Sequence, residues 1–264
     1  MYIDCTSIAQ QWENEIREKI KLRDYSPTLA IITSDYDDAS KVYVRNKVKV
    51  AERVGINAQV YDLSGKDAYW WFNRVTKLSN TPALNGIIVQ LPIFEDIEEK
   101  LLCELIPSTM DVDGLTTTNQ GLLASGENPF YVPCTPKGIL YLMNALNVPK
   151  SSHVVIVGRS NLVGRPLAHL LTNHDYTVTL CHSKTKDLHK HLESADVIVS
   201  AVGKPKFISG DLKDKLIIDV GINRDENGKL CGDVDPQLAE NNDVTPVPKG
   251  VGQFTVLALM DNLV

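Results

Sequence analysis

The most constraining feature of this chain is an apolar run that leads into a glycine-bounded turn, at residues 154–166. Residues 154–157 are four β-branched side chains in a row, which is typical of a buried parallel strand. Gly158 and Gly164 bound the turn, and residues 166–171 predict a helix after it. Backbone N–H groups and the dipole at a helix N-terminus both attract an anion, so this order of elements forms a cradle for a pyrophosphate. The segment therefore predicts a dinucleotide site.

The turn departs from the usual dinucleotide pattern, because Ser160 stands where a second glycine is common. A glycine motif alone is weak support for a cofactor, so an ordinary strand–helix turn without one stays open as an alternative. Two more apolar runs, residues 195–203 and 215–221, predict buried strands that end in small residues. Residues 137–247 are therefore expected to form a Rossmann-like domain with a parallel sheet.

The choice of dinucleotide depends on the next strand, residues 177–181, which runs into the segment 182–186, His-Ser-Lys-Thr-Lys. An NAD site usually has an acid near this point to bind the ribose 2′-hydroxyl, and this segment has none. Its hydroxyls and cations, together with Arg159 in the glycine turn, suit a 2′-phosphate and favour NADP. Alternatively, Lys184 and Lys186 are ordinary solvated lysines.

The composition excludes several other classes of protein. The chain of 264 residues has a net charge of -6, which argues against nucleic-acid binding, and no apolar run approaches the ~20 residues of a membrane span. The first residues lack the pattern of a signal peptide. Dispersed cysteines without a C-x-x-C pair predict reduced thiols in a cytoplasmic protein, with no metal site and no disulfide framework. They are Cys5, Cys103, Cys134, Cys181 and Cys231.

The first half of the chain also alternates helices and strands, which predicts a second α/β domain. We expect a helix over residues 9–22, a strand over 29–32, a helix from Ser40 as its N-cap to Val54, and a strand over 86–92.

The helix predicted from Ser40 carries a lysine in its apolar stripe. The stripe consists of Tyr43, Lys47, Val50 and Val54. Lysine is rarely buried without a partner, and an amine in an apolar setting can serve as a base. The alternative is that the stem of Lys47 lies along the stripe while its amine reaches water.

Two acceptors are candidates to meet Lys47. Gln90 ends an apolar strand, where α/β proteins place ligands, and Asp113 lies in an Asp-Gly segment that is otherwise typical of a turn. Thr135 lies in a second turn, and we expect it to cap a helix over residues 137–146.

Taken in order, these segments resemble the bifunctional methylenetetrahydrofolate dehydrogenase/cyclohydrolases over almost the whole chain. The resemblance is carried by Ser40-x-x-Tyr43-Val44-x-x-Lys47-x-Lys49, Val89-Gln90-Leu91-Pro92, Asp111-Val112-Asp113-Gly114, Pro133-Cys134-Thr135-Pro136, Val157-Gly158-Arg159-Ser160-x-x-Val163-Gly164-x-Pro166, Cys181-His182-Ser183-x-Thr185, Asp219-Val220-Gly221-Ile222-Asn223 and Thr245-Pro246-Val247-Pro248.

The resemblance implies a role for each site residue. In the folate site, Lys47 would be the essential lysine of the cyclohydrolase step, Tyr43 would pack on the folate, Gln90 would partner the lysine and Asp113 would bind the pterin ring. In the NADP site, the implied residues are Gly158, Arg159, Ser160, Ser183 and Ile222, with Arg159 and Ser183 near the 2′-phosphate.

The resemblance also implies the architecture and the partners. Residues 1–136, completed by 248–264, would form a folate-binding catalytic domain, and 137–247 the NADP-binding domain. The substrates would be tetrahydrofolate derivatives, and the protein a homodimer. A dehydrogenase without the cyclohydrolase step, and a non-catalytic NADP-binding protein, are the alternatives. A short-chain dehydrogenase that pairs Tyr43 with Lys47 is disfavoured, because there the glycine turn precedes that pair.

The chain departs from the family pattern near its end. Lys249 stands where the family has glycine, and Gln253 where it has proline. If Lys249 faces the folate, the anionic glutamate tail of the substrate is the partner we expect; otherwise its side chain points to water.

Overall fold

The computed structural model describes residues 1–34, 38–93 and 97–264, and it divides the chain into two compact units. The N-terminal unit consists of Trp12–Cys134 with Val256–Val264, and the central unit of Met1–Gln11 with Thr135–Thr255. The domain boundaries predicted above, at 136/137 and 247/248, stay a prediction.

The N-terminal unit is built on a three-stranded parallel sheet in the order β2-β1-β3. The elements in the first half of the chain are α1 (Cys5–Lys21), β1 (Thr28–Thr33), α2 (Asp38–Val54), β2 (Asn57–Asp62), α3 (Ala68–Ser79), β3 (Gly86–Val89), α4 (Glu99–Glu104) and α5 (Thr117–Ala124). The central strand β1 is apolar at four consecutive positions, Leu29 to Ile32, and all four are fully buried. Such a run forms a strand because both faces of a parallel sheet are covered.

The central unit contains a five-stranded parallel sheet in the order β10-β7-β6-β4-β5 and a small antiparallel hairpin, β8-β9. The elements of the second half are α6 (Cys134–Ala145), β4 (His153–Val157), α7 (Gly164–Asn173), β5 (Thr177–Cys181), α8 (Leu188–Ser194), β6 (Val197–Ser200), β7 (Leu216–Asp219), β8 (Asn223–Arg224), β9 (Leu230–Cys231), a 3-10 helix (Pro236–Glu240), β10 (Asp243–Val244) and α9 (Val251–Asp261).

In each sheet, the strand order changes direction at the strand that comes first in the sequence. In the N-terminal unit β2 and β3 lie on opposite sides of β1, and in the central unit β5 and β6 lie on opposite sides of β4. Ligands of such sheets bind at the carboxyl ends of the strands, at the point of reversal. Ligand sites are therefore expected at the carboxyl ends of β1 and β3 in the N-terminal unit and of β4 and β6 in the central unit.

The predicted fold class is confirmed, whereas two predicted N-caps are wrong, and the helix expected over residues 9–22 runs from Cys5 to Lys21. The helix assigned an N-cap at Ser40 begins at Asp38, and the helix assigned a cap at Thr135 begins at Cys134. Both residues therefore lie in a first helical turn rather than before it. Thr135 Oγ1 instead forms a 3.1 Å hydrogen bond with Thr255 Oγ1. In the described part of the chain, no helix combines the length and the apolar character needed to cross a bilayer.

Candidate active site

The carboxyl edge of the N-terminal sheet joins Lys47 of α2 to Gln90. Lys47 Nζ donates a hydrogen bond of 2.9 Å to Gln90 Oε1. The Gln90 amide is oriented by its Nε2, which donates to the carbonyl of Leu91 at 2.9 Å. Its backbone N–H donates to the carbonyl of Ile32 at 2.8 Å, which continues the pairing of β3 with β1 by one residue. Gln90 is therefore fixed at both ends, and its oxygen is directed at the lysine.

A neutral acceptor suits a lysine that must exchange protons. A carboxylate would hold the ammonium by charge, whereas an amide oxygen holds it by one ordinary hydrogen bond and leaves its other two donors for a ligand. Lys47 is half-buried in the apolar stripe predicted from the sequence, between buried Val44, Val50 and Ala51. The arrangement can hold an amine at a fixed place and still let it take or give a proton.

Tyr43 lies one helical turn before Lys47 on the same face of α2. It is half-buried, and this burial raises the pKa of its phenol above the ordinary value of 10.0, so the ring is neutral at physiological pH with or without this shift. A neutral, partly exposed aromatic ring is suited to stacking against a flat ligand. The role of Tyr43 against folate stays a prediction.

Asp113 lies in a turn that a buried neighbour organises. The carboxylate of Asp111, 3% exposed, accepts hydrogen bonds from the backbone of Leu115 and Thr116 and from Asn119 Nδ2, at 3.1, 2.8 and 2.9 Å. Burial raises the pKa of Asp111. These bonds fix the backbone around half-buried Asp113.

The turn at Asp113 is also held by residues far away in the sequence. Gly114 has a φ of 70°, and a Cβ there would lie 2.6 Å from the backbone nitrogen of Pro133. Asn262 Nδ2, just after α9, donates to the carbonyls of Val112 and Val132 at 2.8 and 3.0 Å. Asp111 and Asn262 were not predicted as functional residues: Asp111 lies in the Asp-Val-Asp-Gly motif, whereas Asn262 carries no local signal.

The glycine turn of the central unit forms a cradle that only glycine fits. Gly158 has a φ of 121°, and a Cβ on it would lie 2.3 Å from the carbonyl oxygen of Ala201, just after β6. A Cβ on Gly164 would lie 1.8 Å from the carbonyl oxygen of Gly158. Ser160 Oγ accepts from the N–H of Val163 at 3.1 Å and so closes the turn. The backbone can therefore approach a phosphate at the start of α7.

The end of β5 lies beside this turn. The N–H of Gly158 donates to the carbonyl of Cys181 at 2.9 Å, so the glycine turn and the segment after β5 are neighbours. A tight turn between His182 and Thr185 leaves Ser183 exposed at its tip, and Arg159 is exposed as well. These side chains are available to an anion at the edge of the sheet, which fits the 2′-phosphate of NADP.

Ile222 follows β7 and is 51% exposed, so its side chain is available for contact with a flat ring. The preceding Asp219 is 4% exposed and accepts from the N–H groups of Gly221, Asp233 and Val234 at 2.9–3.0 Å. Burial raises the pKa of Asp219 to about 6. Asp219 lies in the Asp-Val-Gly-Ile-Asn motif, but no role was predicted for it from the sequence.

Lys249 has a φ of 74°, a conformation that favours glycine, and its side chain is exposed. Gln253 Nε2 donates to the Lys249 carbonyl at 2.6 Å. The two departures from the family pattern are therefore in contact: the glutamine that replaces a proline stabilises the backbone of the lysine that replaces a glycine.

Comparison with known proteins matches both halves of the chain to one family. Residues 3–113 match the tetrahydrofolate dehydrogenase/cyclohydrolase catalytic domain, and residues 133–264 match its NAD(P)-binding domain. The bifunctional protein FolD of Dechloromonas aromatica (strain RCB) is 40% identical over 272 residues, 99% of this chain and 95% of that protein.

Two solved structures are similar over the full length of the chain. The bifunctional FolD methylenetetrahydrofolate dehydrogenase/cyclohydrolase of Campylobacter jejuni has a TM-score of 0.94 and 36% identity, covering 100% of this chain and 96% of that one. The FolD of Trypanosoma brucei, complexed with NADP and an inhibitor, has a TM-score of 0.92 and 31% identity, covering 100% and 95%.

We predict that Lys249→Gly stabilises the protein. Glycine removes the cost of a left-handed backbone, offset in part by its greater freedom in the unfolded chain, so the free energy of unfolding should rise by about 0.5–1 kcal/mol in urea titrations. The matched control is Lys229→Gly, an exposed lysine with an ordinary backbone conformation, which should gain nothing. Equal changes in the two variants would contradict the argument.

We also predict that Asp219 makes stability fall as pH rises from about 4 to 6. Its pKa is about 6 in the folded protein against 3.8 ordinarily, so the folded state retains a proton that the unfolded chain releases. The loss is at most about 3 kcal/mol, and it is complete above pH 6. The stability of the Asp219→Asn variant should lack this dependence on pH. The stability of Asp211→Asn, a substitution of an exposed carboxylate, should keep it. A carboxyl NMR titration of Asp219 near 4 would contradict the prediction.

Proposed function

Because the chain belongs to the tetrahydrofolate dehydrogenase/cyclohydrolase family, we propose that its two reactions are divided between the two groups of residues described above. The protein is a bifunctional enzyme of one-carbon metabolism. It oxidises methylenetetrahydrofolate to methenyltetrahydrofolate with NADP, and it hydrolyses the methenyl compound to 10-formyltetrahydrofolate.

The hydrolytic reaction is assigned to Lys47, and the observation that supports it is the hydrogen bond from Lys47 Nζ to Gln90 Oε1. The amine of Lys47 takes a proton from the water that attacks the methenyl carbon. The resulting carbinol collapses to a formyl group while its hydroxyl proton passes to the ring nitrogen whose bond to carbon breaks. One proton is released overall, because a cationic substrate becomes a neutral product. Acid–base help of this kind contributes ~10²–10⁴-fold in rate.

Gln90, Tyr43 and Asp113 position the reaction. Gln90 keeps the amine of Lys47 at the end of the sheet, Tyr43 packs against the folate, and Asp113 accepts hydrogen bonds from the pterin ring. The buried Asp111 network and the Asn262 bonds support this assignment, because they fix the backbone on which Asp113 is carried.

The oxidative reaction is assigned to residues that position rather than transfer protons. Gly158, Arg159, Ser160, Ser183 and Ile222 would hold NADP, which accepts a hydride when bound. The substrate nitrogen stabilises the cation that forms, so this step needs no strong acid or base from the chain. Arg159 and Ser183 would lie near the 2′-phosphate, and Ile222 would lie against the cofactor.

The setting of the enzyme is also part of the proposal. We assign it to the cytoplasm, consistent with five free cysteines, and to the supply of one-carbon units for purine and amino-acid biosynthesis. The active form would be a homodimer, which size measurements in solution can test.

We predict that Lys47→Met abolishes the hydrolysis and spares the oxidation. Methionine keeps the length of the side chain but cannot carry a proton, so conversion of methenyltetrahydrofolate should fall about 10²–10⁴-fold. Formation of NADPH from methylenetetrahydrofolate, followed separately, should stay within about tenfold of the wild type. Lys49→Met, on the exposed face of α2, is the matched control for both activities. Hydrolysis by Lys47→Met at the wild-type rate would refute the assignment.

We predict that NADP is preferred to NAD and that Ser183→Asp removes the preference. A carboxylate beside the 2′-phosphate repels it, and the KM for NADP should rise at least about tenfold, equivalent to about 1.4 kcal/mol. Ser183→Asn has nearly the same shape without the charge and should change the KM much less. Equal kinetics of the wild type with NADP and NAD would overturn the cofactor assignment.

A further inference from the structure

The central unit contains a buried carboxylate that neither reaction uses. Asp233 lies between β9 and the 3-10 helix and is 0% exposed. A buried charge is costly unless hydrogen bonds satisfy it, and five donors surround this one. Its Oδ2 accepts from Ser200 Oγ, the Val202 N–H and the Gly203 N–H at 3.0, 2.7 and 3.1 Å, and its Oδ1 from the Lys204 N–H and Asn223 Nδ2, both at 2.9 Å.

These donors belong to two neighbouring strand ends. Residues 200–204 form the end of β6 and the loop after it, and Asn223 begins the segment that follows β7 and Gly221. The backbone of Asp233 is itself fixed from β7, because its N–H donates to Asp219 Oδ1 at 2.9 Å. One side chain therefore ties together two loops at the carboxyl edge of the sheet.

Both loops contact or contain residues of the NADP site. The carbonyl oxygen of Ala201, next to the tied amides, is the atom that a Cβ on Gly158 would meet at 2.3 Å. Ile222 lies between Asn223, which donates to Asp233, and Gly221, where a Cβ would lie 2.1 Å from Asp233 Oδ1. The Asp233 carboxylate thus fixes the backbone position on either side of Ile222. It also fixes the loop whose Ala201 carbonyl packs against Gly158.

We propose that Asp233 is a positioning residue for NADP, which acts through the loop after β6 and through Ile222 without touching the cofactor. This inference rests on the proposed function, in which Gly158 and Ile222 bind NADP. Only a carboxylate meets the need, because both of its oxygens accept and neither donates. An asparagine of the same shape would turn an NH₂ group towards at least two N–H donors, whichever way its amide is oriented.

The test is Asp233→Asn in the full-length enzyme. We expect the KM for NADP in the oxidation, and the dissociation constant of NADPH measured by fluorescence, to rise at least tenfold. Hydrolysis of methenyltetrahydrofolate without NADP should stay within twofold of the wild type, because Lys47 and Gln90 belong to the other unit. A merely structural defect would lower the two activities together.

The matched control is Asp235→Asn, two residues away, where the half-exposed carboxylate only caps the 3-10 helix through the Gln237 N–H. Among the described residues, no other hydrogen bond of the Asp235 side chain is seen, so Asp235→Asn should leave both activities unchanged. If Asp233→Asn does not fold, Asn223→Ala removes the tie to the Ile222 segment while four donors remain, and the KM for NADP should rise several-fold with hydrolysis unchanged.

The outcomes separate this inference from the function on which it rests. Unchanged NADP binding in folded Asp233→Asn, or in Asn223→Ala, overturns the role of Asp233, and so does a parallel loss of both activities. Failure of the wild-type enzyme to reduce NADP with methylenetetrahydrofolate would instead overturn the assigned oxidation, whatever the variants do.

Discussion

A parallel sheet that is covered on both faces has its free backbone groups and most of its polar chemistry at the ends of its strands, and both units of this enzyme depend on that constraint. In the N-terminal unit, β1 and β3 deliver Gln90 to the edge, where it meets Lys47 of α2. In the central unit, Gly158 can turn away from β4 only because it has no Cβ to meet Ala201. In the proposed assignment, the two reactions differ in chemistry but use the same kind of position in the fold.

The buried carboxylates and the lysine at these sheet edges differ in the kind of partner that they contact. The buried carboxylates Asp111, Asp219 and Asp233 all accept hydrogen bonds from backbone N–H groups, and so they hold loops in place. Lys47, by contrast, contacts a neutral amide. These buried carboxylates accept several hydrogen bonds each, whereas Lys47, for which we propose proton transfer, has a weaker partner.

Short sequence patterns predicted those elements whose structure depends mainly on residues close together in the sequence. The strand, glycine turn and helix at β4 and α7 follow from β-branched residues and glycines, and the stripe on α2 exposed Lys47 as an anomaly. The caps assigned to Ser40 and Thr135 were wrong, because a helix start depends on backbone contacts that a favourable residue type alone does not fix. Asp233 gave no signal, since its donors lie about 10 to 33 residues away in the sequence and are brought to it only by the sheet.

The bonds of Asn262 have a consequence for synthesis of the protein. Asn262 lies 130 residues after Val132 and 150 after Val112, the two backbone carbonyls that it bridges. A ribosome that adds ~5–20 residues per second needs on the order of ten seconds to make the intervening chain. During that time most of the central unit is synthesised, while the turn at Asp113 still lacks the bonds of Asn262. The N-terminal unit therefore acquires these bonds only after every strand of the central sheet has been translated.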